Sequence, residues 1–221
     1  MAPLPAPVEA VIFDMDGLLL DSERLYRKAI LESAAHMGFE FPDDFYATLV
    51  GIPGKECEIL IQNRFGAEFP MAAFRQRCRS RLDLLFEPGI PLKAGASELL
   101  AHLDQRGLLK AVATSTGRRT AESHLQRAGV LHRFDALITR DETDHSKPHP
   151  DPYLKAAAKL GIAPNRCLTL EDSYNGVRSA HAAGTMTVMV PDLLSCTDEL
   201  RGLCVAVVKD LHEVRDILLG S

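Results

Sequence analysis

No stretch of this 221-residue sequence approaches the roughly 20 consecutive apolar residues that a membrane-spanning helix needs, and no internal repeat runs through it. Positive charge is in deficit. With 25 Lys and Arg against 30 Asp and Glu, the formal net charge is -5, so neither nucleic acid nor an anionic membrane surface is an expected partner. The five cysteines (Cys57, Cys78, Cys167, Cys196, Cys204) are odd in number and form no CxxC pair. That argues against a disulfide framework or a thiolate metal site, and for free thiols in a reducing compartment. The opening MAPLPAPVEA lacks a basic start and an apolar centre, so it reads as a loose leader rather than a secretory signal. What remains is the expectation of a cytoplasmic, monomeric protein of ordinary globular composition, with 46% hydrophobic and 25% charged residues. If its substrate is anionic, local positive groups must gather it against the global charge.

The chain does contain short apolar runs alternating with helix-like segments. Candidate strands are VIF (11–13), LKAVAT (109–114), ALIT (136–139), CLTL (167–170), MTVMV (186–190) and VAVV (205–208). Their near-continuous aliphatic content fits strands covered on both faces, as in a parallel sheet. Between them lie punctuated helices. One is predicted from about Arg118 to Ala128, stopping at Gly129. PYLKAAAKLG has Asp151 at the N-cap, Pro152 at the first helical position and Gly161 past the end, and NGVRSAHAAG stops at Gly184. The alternation predicts an α/β fold, a Rossmann-like open parallel sheet with right-handed crossovers.

From Ser22 to about Lys93 the rhythm changes to helical periodicity without a convincing strand, broken at Pro42, Gly51, Pro53–Gly54 and Pro70. This predicts an inserted α-helical cap over residues 21–93, with residues 1–20 and 94–221 forming the catalytic core. Arg75, Arg77, Arg79 and Arg81 alternate along one cap segment; at about 200° per two residues they spread around a helix, and most are read as solvated.

In an open parallel sheet, ligands bind beyond the carboxyl ends of the strands. Asp14, Asp16 and Gly17 follow the first candidate strand, and Thr114, Ser115, Thr116 and Gly117 the second. DHSKPHPD with Lys147 lies downstream of the third, and Glu171, Asp172 and Ser173 end the fourth. Each cluster alone has a bland reading: a solvated loop, a turn, a surface lysine, a helix start. Their joint placement at strand ends outweighs those readings. An oxygen-only donor set suits a hard cation such as Mg²⁺, which draws phosphate oxygens as well. Thr114 and the amides of the Ser115–Gly117 turn are placed to donate to such oxygens, and Lys147 to offset the negative excess. One carboxylate would serve as nucleophile and a second as proton donor and acceptor.

FDMDGLLLDSE, VATST, SKPHPD and LEDSYNGVRSAHAAG together resemble the four motifs of the haloacid dehalogenase-like hydrolase superfamily. They are most similar to its helical-cap branch, which includes β-phosphoglucomutase, phosphoglycolate phosphatase and pseudouridine-5'-phosphatase. The resemblance implies that Asp14 is the nucleophile and Asp16 the general acid and base. It implies Mg²⁺ held by the Asp14 carboxylate, the Asp16 carbonyl and Asp172, with Glu171 ligating directly or through water. Thr114, the Ser115 amide and Lys147 would bind the phosphoryl group. Asp21 matches a hinge position, for which helix capping with Ser22 is an equally good reading. Lys55 and Glu56 fall where the cap would meet a substrate, within 51–56 and alongside the helix start Ser22–Tyr26. The family's dehalogenases lack an acid two residues after the nucleophile, and its phosphonate-cleaving members have a small residue there, so Asp16 argues against both. β-Phosphoglucomutase carries a cap arginine about where Gly54 stands here, which favours a phosphatase of a small phosphorylated metabolite over a phosphosugar mutase. A non-catalytic binding protein is the remaining alternative, disfavoured because every motif residue is intact.

Overall fold

The computed structural model of the chain describes residues 4–50 and 54–220. In chain order the helices and strands begin with β1 (Ala10–Phe13), α1 (Ser22–His36), α2 (Asp43–Leu49), α3 (Gly54–Phe65), α4 (Met71–Phe86) and α5 (Ala96–Gln105). They continue with β2 (Leu109–Ala113), α6 (Arg118–Arg127), β3 (Ala136–Ile138), α7 (Asp151–Leu160) and β4 (Cys167–Glu171). The chain ends through α8 (Tyr174–Ala182), β5 (Met186–Met189), α9 (Asp198–Leu203), β6 (Ala206–Val207) and α10 (Leu211–Leu219). Within the described residues it divides into two compact units, Met1–Asp21 with Ile90–Ser221, and Ser22–Gly89.

The first unit is built on one parallel six-stranded sheet in the order β3-β2-β1-β4-β5-β6. Each predicted strand is present to within two residues at either end. The succession β1, β2, β3 runs outward on one side of β1 and the chain then returns to place β4 on the other, so the strand order reverses between β1 and β4. That reversal opens the crevice in which such sheets bind ligands. Register brings the strand ends level. Phe13 is paired with both Val112 and Leu170, which sets Asp14 beside Ala113 and Glu171. The Asp14 N–H donates to Leu170 O at 3.0 Å and the Thr114 N–H to Ile138 O at 2.9 Å, extending the ladder past the last strand residues.

One face of the sheet is notably small-residue. Ala10, Ala111, Ala113 and Ala136 pack with Ala156 and Ala157 of α7 and Ala180 of α8, and Tyr153 is the one aromatic among them. Small side chains allow α7 to approach the strands closely. α7 begins at Asp151, one residue earlier than expected, with Pro150 at the N-cap and Pro152 inside the first turn. Asp151 faces back along the chain instead of capping. Its carboxylate accepts from the N–H groups of Asp144 (2.7 Å) and His145 (3.3 Å), closing the loop that carries Lys147.

At the edge of this unit the segments on either side of the insertion run side by side. Leu20 bridges Leu92, and the Asp21 N–H donates to Pro91 O at 2.8 Å.

The second unit is wholly helical among its described residues. Its core is aromatic: Phe41, Phe69 and Phe74 are buried, and Phe39, Phe45 and Phe65 pack against them. Two of the four arginines of α4 reach partners on other helices at the surface. Arg75 donates to Glu58 of α3 at 2.7 Å, and Arg81 pairs with Glu32 of α1. This helical unit is thus held by ring packing inside and cross-helix ion pairs outside. No described helix is long and apolar enough to cross a membrane.

Candidate active site

Asp14 leaves β1 with only 8% of its surface exposed. Its Oδ1 accepts from the Lys147 ammonium at 2.5 Å. The same ammonium donates to Glu171 Oε1 at 2.7 Å and to the carbonyl of Ala113 at 3.0 Å. A lysine has three N–H donors, so all of them are engaged by acceptors from three adjacent strands or strand ends. Lys147 therefore staples β1, β2 and β4 together at their carboxyl edge.

Glu171 is completely buried and unusually well supplied with donors. Oε1 accepts from Lys147 and from the Tyr153 hydroxyl of α7. Oε2 accepts from the Ser173 hydroxyl (3.0 Å) and from the N–H groups of Asp172 (3.1 Å) and Ser173 (3.2 Å). Five donors fill the carboxylate's lone-pair directions, so Glu171 as it stands supports neighbouring groups, and contact with a metal, direct or through water, would require it to give up one of these donors. Ser173 also caps α8, its hydroxyl oxygen accepting from Gly176 N–H at 3.1 Å. Helix α8 comes so close that a Cβ on Gly176 would lie 1.8 Å from Glu171 Oε1, which only glycine permits.

Asp16 sits immediately before a tight turn. Gly17 has φ 88°, a left-handed conformation that disfavours a side chain, and its N–H donates to Leu20 O at 3.0 Å. The Asp16 carboxylate accepts from the Thr116 hydroxyl at 2.9 Å and lies 3.9 Å from Nδ1 of His124, a buried residue of α6.

The hydroxyl turn after β2 is partly self-satisfied. Thr114 is buried, and its Oγ1 accepts from the Thr116 N–H at 3.1 Å. The Arg118 N–H donates to Asp141 at 2.7 Å. The expected use of every amide across Ser115–Gly117 as an oxyanion donor therefore narrows, because the Thr116 amide already has a partner; Ser115 is exposed.

Electrostatics follow from four carboxylates around one ammonium. Burial pushes the Asp14 carboxyl up to about 7, with Glu171 and Asp16 adding to the rise and Lys147 opposing it. Burial, then Asp14 and Glu171, hold Asp172 well above the carboxylate range. Burial alone would lower Lys147, but the charges of Asp14 and Glu171 outweigh it and keep the ammonium protonated. Burial and the Glu171 charge likewise keep the Tyr153 phenol protonated, so it donates to Glu171.

Among the described residues no three His, Cys, Asp or Glu side chains converge as a ready-made metal cage. The donor set fits a different kind of site. Asp14 is buried and Asp172 half-buried; Glu171 opposes the ionisation of both and Asp14 that of Asp172, and a hard divalent cation would relieve that opposition. Mg²⁺ needs only one or two protein carboxylates, keeping water for the rest of its coordination.

The expected site residues of the sheet unit, Asp14, Asp16, Thr114, Lys147, Glu171 and Asp172, thus gather at one strand edge through the contacts above. Asp21 lies where the chain leaves this unit, 3.7 Å from the Lys93 ammonium. Lys55 and Glu56 are exposed on α3 of the helical unit, whereas Gly51, Ile52 and Pro53 lie outside the described residues. Tyr153 and His124 were not anticipated. Both sit on helices whose periodicity marks them as core positions, and nothing local signals that their polar ends reach a carboxylate.

The model of the family described as haloacid dehalogenase-like hydrolase matches residues 11–190. Hexitol phosphatase B of Escherichia coli is 34% identical over 197 residues, covering 85% of each chain. The phosphorylated carbohydrates phosphatase of Thermotoga maritima is 30% identical over 177 residues, covering 80% of this chain and 82% of that one. A HAD family hydrolase from Deinococcus radiodurans R1, solved with bound phosphate and sodium, superposes with a TM-score of 0.82 at 26% identity, covering 97% of this chain and 96% of that one.

Proposed function

The chain belongs to the haloacid dehalogenase-like hydrolases and is a phosphoric monoester hydrolase of that family, and we propose that it is a Mg²⁺-dependent phosphatase of small phosphorylated sugars, polyols or nucleosides working through an aspartyl-phosphate. One observation carries the reading: a buried carboxylate, Asp14, is held at 2.5 Å by Lys147 at the point where the strand order reverses. A carboxylate fixed there is aligned for attack and shielded from bulk water. The names of the two phosphatase relatives support the substrate class, and phosphate bound to the Deinococcus relative supports the ligand.

In this mechanism an Asp14 oxygen attacks phosphorus as the bond to the leaving oxygen breaks. Asp16 gives its proton to that oxygen, and Thr116, donating to Asp16, aims the acid. Water then attacks the phosphorus of the aspartyl-phosphate. Asp16 takes the water's proton, and the bond from phosphorus to Asp14 breaks, releasing inorganic phosphate and restoring both carboxyl groups. The Thr114 hydroxyl and the Ser115 amide donate to phosphoryl oxygens. Lys147 joins them by exchanging one of its three protein contacts for a phosphoryl oxygen. The Asp14 and Asp172 carboxylates and the Asp16 carbonyl are the groups that would hold Mg²⁺, with Glu171 reaching it directly or through water by giving up one of its present donors. When bound, the cation would neutralise charge on the phosphoryl group and on Asp14.

Choice of leaving group is assigned to the helical segment that interrupts the sheet, a cap with Asp21 at its hinge and Lys55 and Glu56 as candidate contacts. Phosphate release across a panel of hexose, hexitol and nucleoside phosphates, with Mg²⁺ and with chelator, tests the proposal. Metal-dependent release from at least one class is expected. Isomerised sugar phosphate without free phosphate would move the reading to a mutase, and turnover unaffected by chelator would remove the metal.

A further inference from the structure

Tyr153 is the one large polar side chain in a layer otherwise made of alanine, isoleucine and cysteine. It is 0% exposed and stands in the first turn of α7, six residues after Lys147. Two of its contacts reach the residues gathered at the strand ends. Its hydroxyl donates to Glu171 Oε1, the oxygen that also receives the Lys147 ammonium. Its ring lies 4.9 Å from Lys147 Nζ, within cation–π range. A phenylalanine would fill the same space, so packing alone does not explain the hydroxyl.

We propose that Tyr153 is a positioning residue that acts through Glu171 to keep the Lys147 ammonium shared between Glu171 and Asp14. The reasoning starts from competition. Lys147 divides its three donors among Asp14, Glu171 and Ala113 O, and Glu171 is the fully buried partner. An unsatisfied buried carboxylate oxygen would draw the ammonium to itself, since an uncompensated charge in a low-dielectric interior is costly. With the Tyr153 hydroxyl on Oε1 and three donors on Oε2, Glu171 is saturated and takes no more than one N–H from Lys147. The contact that can be exchanged for a phosphoryl oxygen is then the one to Asp14 or Ala113, not the one to Glu171. The ring, 4.9 Å from Nζ, adds a second restraint. The small residues around it make this possible: alanines at 113, 156 and 157 let α7 lie close enough for a tyrosine to reach the end of β4.

The catalytic consequence rests on the phosphatase reading above, but the positional claim does not, and two readouts separate them. The first is the ammonium resonance of Lys147 in isotopically labelled protein, which burial and three acceptors should slow enough in exchange to be observed. In Tyr153→Phe this resonance is expected to shift or to be lost to faster exchange; an unchanged resonance overturns the proposal whatever the protein turns out to hydrolyse. The second is turnover in a double-mutant cycle. Tyr153→Phe should lower kcat about tenfold, the scale of losing one hydrogen bond to a buried charge. In a Glu171→Gln background the same substitution should change kcat by less than about twofold, since the group it acts through is already altered. Equal, additive losses in both backgrounds would mean a purely structural tyrosine and would contradict the proposal. Tyr153→Leu, which also removes the ring, should lower kcat further than Tyr153→Phe. If the wild-type protein releases no phosphate from any ester, the phosphatase reading fails while the resonance still decides the role of Tyr153.

Discussion

Asp14 is the residue on which chemistry and stability pull in opposite directions. Its carboxyl is pushed from 3.8 up to about 7 by burial, so the folded state holds this proton more tightly than the unfolded chain does. A raised folded-state pKa contributes stability that is fully present below about pH 4 and lost as pH rises through about 7. Asp172 is shifted in the same direction and adds to the trend. In chelator, the stability difference between wild type and Asp14→Asn should therefore move in favour of the variant between about pH 5 and pH 8, as read from urea midpoints. A difference independent of pH would show that Asp14 does not titrate in this window. At this scale the sequence exposed the identities of the acids and of Lys147, because strand ends are local signals. It did not expose Tyr153, His124 or the sequestration of Glu171. Those depend on which helix covers which strand, and a tyrosine in an apolar helical stripe looks like any other core residue.

At the scale of elements, β4 and α8 form a unit with little tolerance. The strand ends on Glu171, Ser173 caps the helix while donating to that carboxylate, and Gly176 lets the helix pass directly against it. A methyl group at 176 would overlap a side chain fixed by five donors, so relief requires shifting α8 or breaking that network. Gly176→Ala should lower the thermal midpoint by several degrees, equivalent to about 1–3 kcal/mol, and reduce turnover at least tenfold. Wild-type stability and activity in this variant would show that Glu171 is held far less firmly than its contacts imply. The strands themselves were legible because each is a short, apolar run bounded by Gly, Pro or polar clusters, and β1, β4 and β5 are buried along their whole length. The α7 start was misread by one residue because Asp151 has the side chain of an N-cap, yet its carboxylate is turned to the backbone of Asp144 and His145.

For the whole molecule, a net charge of -5 coexists with a site that must accept a phosphate ester. Lys147 is the cation in direct contact with Asp14 and Glu171, and a divalent metal would supply the rest of the local compensation. On the proposed metal site, protons and metal would compete for the same carboxylates. The rise in thermal midpoint on adding Mg²⁺ should be larger at pH 8 than at pH 5.5, through preferential binding to the folded state. A shift of the opposite order would contradict the assignment of Asp14 and Asp172 as ligands. The helical unit between Ser22 and Gly89 was visible in the sequence as a lapse of strand signals, but its phenylalanine core was not, since ring packing joins residues from α2, α3, α4 and the loops that precede α2 and α4. The central claim is that Asp14 carries the phosphoryl group during turnover. Rapid acid quench of the Mg²⁺-loaded protein turning over a phosphomonoester, followed by mass analysis of its peptides, tests it directly. The expected result is a phosphoryl group on the peptide containing Asp14, absent in Asp14→Asn. Sustained hydrolysis by Asp14→Asn, with no phosphorylated peptide in the wild type, would contradict it.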